Sequence, residues 1–291
     1  MIYVIVGPTG VGKTKLSIEL AKKLNAEIVN ADSMQVYRGL DIGTAKVKED
    51  EKEGIPHHLF DIVDVDTLYT VYDYQRDARK KIQEITSRGK NVIMVGGTGL
   101  YIRACLYDYR FQEEGEQETF DGLSNEELLS RLSAYTDQIL VHPNNRKRLV
   151  RLLNRYQNGE TEIEKKSEAI YDFYMIGLTT NRETLYEKIN HRVDLMVEEG
   201  LFQEVETLYQ KKVYSKAIET GIGYKELYRY FDGKLTKEEA IEEVKKNSRH
   251  YAKRQYTFFN HQLPAHWFET DYVNFENTIN AVLEEIEEKM P

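Results

Sequence analysis

Residues 7–14 read GPTGVGKT and match G-x-x-x-x-G-K-[ST], a loop whose backbone N–H groups cradle phosphate oxygens. In that pattern Gly7, Pro8, Thr9, Gly10, Val11, Gly12, Lys13 and Thr14 hold a di- or triphosphate. The glycines let the backbone turn sharply and approach the ligand. Lys13 adds a full charge, and Thr14 offers a hydroxyl to Mg²⁺. Asp32 follows the run EIVNA at 27–31. It is a candidate general base, because ligand crevices of open α/β sheets lie at the carboxyl ends of strands. By itself an aspartate there also suits an N-cap or a turn. Ser33 and Gln35 add polar groups beside it, and glutamine pairs well with adenine edges. The run NVIMV at 91–95 ends in GGTG, 96–99. An enzyme that hydrolyses ATP on such a loop normally carries an acid there, to hold Mg²⁺ or water. Its absence weakens the ATPase reading, although a tight strand-to-helix turn explains the glycines equally well.

These residues need a scaffold that brings strand ends together. The apolar, β-branched run 2–6 reads as a buried strand. Helix 13–24 follows, with Leu16, Leu20 and Leu24 on one face. Its free N–H groups point at anions. Strand 27–31, strand 59–63, helix 70–87, strand 91–95 and helix 98–107 continue the alternation, which predicts a parallel sheet covered by helices. Periodicity fades over the acidic stretch 111–127, read as an exposed connection or insertion. Residues 125–157 look helical, 172–180 return to strand, and a long helix starts near Arg182. Residues 201–259 read as helical pieces broken at Gly221, Gly223 and Gly233. Strand 265–269 and helix 276–289 close the chain. The expected organisation is an α/β core from 1–110, 171–200 and 262–291, with mainly helical, inserted parts at 111–170 and 201–261.

The 291 residues are 41% hydrophobic and 31% charged, enough for a packed core and a soluble surface. No apolar run approaches a membrane span, and the first residues read as a core strand rather than a signal peptide. Cys105 is the only cysteine, which leaves no internal disulfide and fits a reducing cytoplasm. None of the seven histidines shows helical metal-ligand spacing; His57 and His58 read as loop residues. The net charge of −9 argues against broad, nonspecific nucleic-acid binding. Two local stretches are nevertheless strongly basic, NNRKRLVRLLNR at 144–155 and KKNSRHYAKRQYTFF at 245–259. In the first, Arg148, Arg151 and Arg155 share a helical face. In the second, Lys253, Arg254 and Gln255 precede Tyr256, Phe258 and Phe259, so charge and aromatics interleave as single-stranded RNA binding requires. A solvated helix face over an aromatic seam would look the same.

In order along the chain, GPTGVGKT, ADSMQVYRGLDIGTAK, VGGTGLYIRA, HPNNRKRLVR, HRVDLM, GIGYKEL and KRQYTFF resemble the motifs of bacterial tRNA dimethylallyltransferases, also called isopentenyl transferases. The similarity runs from residue 2 to about residue 260; the acidic stretch 110–128 matches no motif. The resemblance implies an α/β, P-loop NTPase-like parallel sheet covered by helices, with an inserted mainly helical domain. It implies prenyl transfer from dimethylallyl diphosphate to the exocyclic amine of the adenosine 3′ of the anticodon, in tRNAs reading codons that start with U. Diphosphate is the leaving group, and Mg²⁺ bound with Thr14 is the expected cofactor. Asp32, Thr9, Arg192 and Thr98 take the catalytic roles. Asp32, Ser33, Met34, Gln35, Thr98, Lys147, Arg148, Arg151, Lys253, Arg254 and Gln255 face the tRNA anticodon stem-loop. A cytoplasmic monomer with no membrane contact is expected. Three rivals stand beside this reading. One is a small-molecule kinase, and the second is an adenylate isopentenyltransferase acting on a free nucleotide. The third is a non-catalytic RNA-binding module. Neither enzyme needs both basic segments, and the RNA-binding module does not need Lys13, Thr14 and Asp32 together.

Overall fold

A computed structural model of the protein describes residues 1–109, 111, 118–159 and 168–289. These residues form two compact units, Met1–Asp108 with Ala169–Pro291, and Tyr109–Glu168.

In the larger unit the elements are β1 (Ile2–Val6), α1 (Lys13–Lys23), β2 (Ala26–Asn30), β3 (His57–His58), α2 (Val71–Ser87), β4 (Asn91–Val95) and α3 (Gly99–Leu106). The smaller unit holds α4 (Asn125–Ser133) and α5 (Arg146–Gln157). The larger unit resumes with β5 (Phe173–Thr179), α6 (Arg182–Glu198), α7 (Leu201–Gln210), α8 (Lys216–Thr220), α9 (Tyr224–Phe231), α10 (Lys237–Gln262), β6 (His266–Glu269) and α11 (Phe275–Lys289). The strands make one parallel sheet in the order β3-β2-β4-β1-β5-β6. Both faces are covered. Ile2, Val4 and Val6 of β1 enter one core with Val92 and Met94, while Tyr3 and Ile5 enter the other with Ile93, Ile176 and Leu178. Such two-sided burial explains why the central strands read as continuous apolar runs rather than as alternating ones.

Three expectations are corrected. The strand foreseen at 59–63 lies at His57–His58 instead, because Leu59 and Asp61 adopt φ of 64° and 53°, outside the β region. The helical stretch 125–157 is two helices. Ser124 starts the first with a capping box to Glu127, and the Asn145 side chain accepts the Arg148 N–H at the start of the second. The helices of 201–261, expected with the insertion, belong to the larger unit. Leu201, Val205, Leu208, Tyr224, Leu227, Val244 and Phe259 join the same core as Val4 and Met94, so their apolar faces are satisfied against the sheet's own layer. The smaller unit has its own core of Phe120, Leu128, Leu132, Leu149, Leu153 and Tyr156. Of the acidic connection expected at 111–127, residues 112–117 lie outside the described residues.

Candidate active site

The strand order puts three chain turns in a row, because β1, β4 and β2 are successive neighbours. The phosphate loop leaves β1, Gly96-Gly97-Thr98 leaves β4, and Asp32 follows β2. The phosphate loop, Gly96, Gly97 and Asp32 wall a cleft of ≈ 800 Å³ that also takes in Ser33, Met34, Gln35, Arg192, Tyr251, Arg254 and the turn Gly221–Gly223, whereas Thr98, expected to line it, stands outside the lining.

Gly7 takes φ 140°, and a Cβ there would meet the Leu178 carbonyl oxygen at 2.5 Å, so only glycine fits between β1 and β5. Val11 contributes backbone alone, since its side chain is in the core. The outer side of the loop is held by the segment leading into α11 and by that helix's first residue. The Thr270 hydroxyl donates to the Val11 carbonyl (3.0 Å), Tyr272 donates to the Gly10 carbonyl (3.2 Å), and Phe275 packs on Gly12. Nothing in the pattern of 270–275 signals that duty.

Lys13 donates to the carbonyls of Gly7 (3.0 Å) and Pro8 (2.8 Å), leaving the third ammonium proton for a ligand. Burial lowers its pKa to about 7, with the nearby Arg192 adding to the effect and Asp32 opposing it. Arg192 reaches from α6 to donate to the Thr9 hydroxyl at 3.0 Å. Its own pKa is pushed down by burial, again against Asp32. Two partly buried cations thus converge on a loop of N–H donors, an arrangement that suits a polyanion. Thr14 lines the cleft at the start of α1. Magnesium takes one or two protein oxygens and completes its shell with phosphate oxygens and water, so this donor set fits it.

Asp32 is fixed from both sides. Its N–H donates to Asn30 Oδ1 (2.9 Å), while Asn30 Nδ2 donates to its carbonyl (3.1 Å) and to that of Leu59 (3.0 Å). Asp32 Oδ1 accepts the Met34 N–H at 2.9 Å. Across the gap, Gly96 leaves no room for a side chain against the Ala31 backbone. The Thr98 hydroxyl accepts the Ser33 N–H (3.0 Å) and donates to Ser33 Oγ (3.2 Å). Thr98 therefore braces the wall that Ser33 presents.

Gln255, expected among the RNA-facing residues, is 5% exposed. Its Oε1 accepts the Thr9 N–H (3.2 Å) and its Nε2 donates to the Gly97 carbonyl (3.0 Å), so one amide ties the phosphate loop to the β4 turn. The anion cradle accordingly begins after Thr9. Gln255→Ala is expected to cost about 1–3 kcal/mol, the penalty for leaving buried partners unmet, measurable by denaturant unfolding. Tyr251, one turn earlier on α10, lines the cleft; burial raises its pKa to about 12, with Asp32 adding to the shift. It stays a neutral hydroxyl in the cleft. The charge-aromatic reading of this segment missed it. Val244, Ser248, Tyr251, Ala252 and Gln255, recurring at spacings of three and four along α10, mark the inward face. Lys253 and Arg254 are exposed on the same helix, the latter over the Tyr251 ring at 5.5 Å. In the smaller unit Lys147, Arg148 and Arg151 are exposed on α5, whereas Arg146 spends its guanidinium on the carbonyls of Leu123 and Phe120, both at 2.6 Å.

His57 Nδ1 lies 2.8 Å from the Ile55 carbonyl, and His58 Nε2 lies 2.7 Å from Glu27. Both contacts are structural. Cys105 is buried, its thiol pKa pushed up to about 12 by that burial.

The IPP transferase family model matches residues 35–262. A tRNA dimethylallyltransferase of Anoxybacillus flavithermus is 48% identical over 300 residues, covering 99% of this chain and 96% of that protein. The crystal structure of a full-length tRNA isopentenylpyrophosphate transferase from Bacillus halodurans superposes with a TM-score of 0.80 at 41% identity, covering 99% of this chain and 96% of that one. A eukaryotic dimethylallyltransferase captured acting on tRNA gives a TM-score of 0.82 at 31% identity, covering 99% of this chain and 78% of that one. With a family model across most of the chain and near-complete coverage of a close relative, the chain belongs to the IPP transferase family, the tRNA dimethylallyltransferases.

Proposed function

We propose that the protein transfers the dimethylallyl group of dimethylallyl diphosphate to N6 of the adenosine 3′ of the anticodon, in tRNAs that read codons starting with U. The observation that carries this reading is one cleft holding both a cationic diphosphate cradle and a carboxylate at the neighbouring strand end. In the step, the allylic C–O bond breaks and diphosphate leaves with the electron pair. The N6 lone pair forms the new C–N bond, and the N6 proton passes to Asp32. Lys13, the Thr9–Arg192 pair and the N–H groups after Thr9 stabilise charge as it builds on the leaving oxygen. Magnesium, when bound with Thr14, adds further neutralisation of the diphosphate. The amine's lone pair is delocalised into the ring, so proton removal accompanies bond formation rather than preceding it. The adenine must be unstacked to reach the cleft, and Tyr251 with Arg254 offers a surface for it at the rim.

The protein acts as a monomer in the cytoplasm on the anticodon stem-loop. Among the described residues no helix is long and apolar enough to cross a membrane. One assay tests the function: radiolabelled dimethylallyl diphosphate is offered with unmodified tRNA or with AMP. Label in tRNA alone supports the reading. Label in AMP selects the free-nucleotide enzyme, and consumption of ATP selects the kinase.

In the smaller unit, α5 supplies phosphate contacts. Contacts of this kind position the RNA without reading sequence. Replacing Lys147 and Arg148 by alanine is expected to flatten the slope of log affinity against log salt by roughly one to one and a half units. All substrate tRNAs should weaken alike. An unchanged slope in a folded variant means that the RNA docks elsewhere.

A further inference from the structure

Glu204 stands behind the cleft wall, not in it. Three successive backbone donors of the loop that follows β2 converge on its carboxylate. Asp41 N–H and Ile42 N–H reach Oε2 at 3.0 and 2.7 Å, and Gly43 N–H reaches Oε1 at 3.1 Å. The Tyr224 hydroxyl donates to Oε1 at 2.6 Å. Such a run of N–H groups is an anion-binding nest, here filled by the protein's own side chain. The fit is tight, since a Cβ on Gly43 would stand 2.7 Å from the Tyr224 ring. Burial and Glu204 hold the Tyr224 pKa well above its ordinary value, so the hydroxyl remains a donor.

The same loop continues into Thr44 and Ala45, whose carbonyls accept Gln35 Nε2 at 3.0 and 3.4 Å. Those carbonyls select which end of the amide faces them, because only the nitrogen donates. Oε1 is thereby the end turned away, and Gln35 lines the cleft beside Asp32. An amide held this way presents an acceptor, and an acceptor reads a base that offers an exocyclic amine. Without the carbonyls the amide is free to flip and present a donor instead.

We propose that Glu204 is a positioning residue for acceptor recognition: by clamping residues 41–43 it fixes the Thr44 and Ala45 carbonyls, and through them the orientation of the Gln35 amide toward the target base. The inference rests on the RNA-modifying reading of the cleft. It places no demand on the donor half, which the phosphate loop holds by other contacts.

The test is a double-mutant cycle in the full chain, using an anticodon stem-loop and dimethylallyl diphosphate. Glu204→Gln keeps the side chain's size but sets an NH₂ against the loop's N–H groups. It is expected to raise KM for the stem-loop about tenfold, the worth of a lost buried partner, with KM for the donor unchanged. In a Gln35→Ala background the same substitution should change nothing further, since coupled residues are non-additive. Tyr224→Phe removes one donor from the clamp and should move the stem-loop KM the same way by less; it carries the test if Glu204→Gln does not fold. Additive effects, or equal shifts in both KM values, overturn the proposal. An effective Gln35→Ala beside an inert Glu204→Gln overturns the clamp alone, while an inert Gln35→Ala overturns the base-reading on which it stands.

Discussion

Asp32→Asn is expected to lower turnover by roughly two to four orders of magnitude, the usual worth of a positioned acid–base group, with tRNA affinity little changed. The choice of asparagine follows from the local geometry. Asp32 Oδ1 accepts the Met34 N–H at 2.9 Å, and an amide oxygen can keep that bond. The backbone is separately pinned by the two bonds shared with Asn30. The substitution therefore removes basicity while leaving the turn in place. Asp32 itself lines the cleft, and Oδ2 is the oxygen that Met34 does not engage, so it is the one an incoming amine can meet. Single-turnover transfer to an unmodified anticodon stem-loop is the measurement, with binding followed separately. Near-normal turnover in the asparagine variant sinks the base assignment.

What the sequence disclosed follows from how locally each feature is encoded. The phosphate loop is written in eight consecutive residues, and its geometry needs only the strand before it and the helix after it. Asp32 could be placed beside it because a parallel sheet puts strand ends on one edge. The β3 segment was misplaced because Leu59 and Asp61 are ordinary in type yet take positive φ, which no local pattern announces. On α10 the difficulty was one of competing signals. Composition emphasised charge and aromatics, but helical spacing turns Ala252, Gln255 and Phe259 inward and leaves Lys253 and Arg254 outside. Glu204 was out of reach altogether. Its three backbone partners lie more than 160 residues earlier in the chain, and only the docking of α7 on the loop gives the carboxylate its meaning.

Lys13→Met is expected to reduce kcat/KM for dimethylallyl diphosphate by roughly two to three orders of magnitude, the scale seen when one preorganised donor to a developing oxyanion is removed. The same change is expected to stabilise the ligand-free protein near neutral pH. The reason is a charge held without an anion. Burial, reinforced by Arg192, lowers the Lys13 pKa to about 7 from the ordinary lysine value of 10.5. Between those two pH values the unfolded chain binds a proton that the folded chain does not, so stability rises with pH across that window. Below pH 7 both states carry the proton, and the folded protein bears the full cost of the buried ammonium, of the order of several kcal/mol. Methionine fills similar volume with no charge to desolvate, against the loss of two hydrogen bonds to the Gly7 and Pro8 carbonyls. The stability advantage of the variant should therefore be largest near pH 7 and shrink toward pH 10. Denaturant unfolding of both proteins over that range measures it. Bound diphosphate supplies the missing anion, so adding it should stabilise the wild type far more than the variant. A pH-independent difference between the two would mean that Lys13 is not held as a buried, destabilised cation, and that its contribution to donor binding arises only after the ligand arrives.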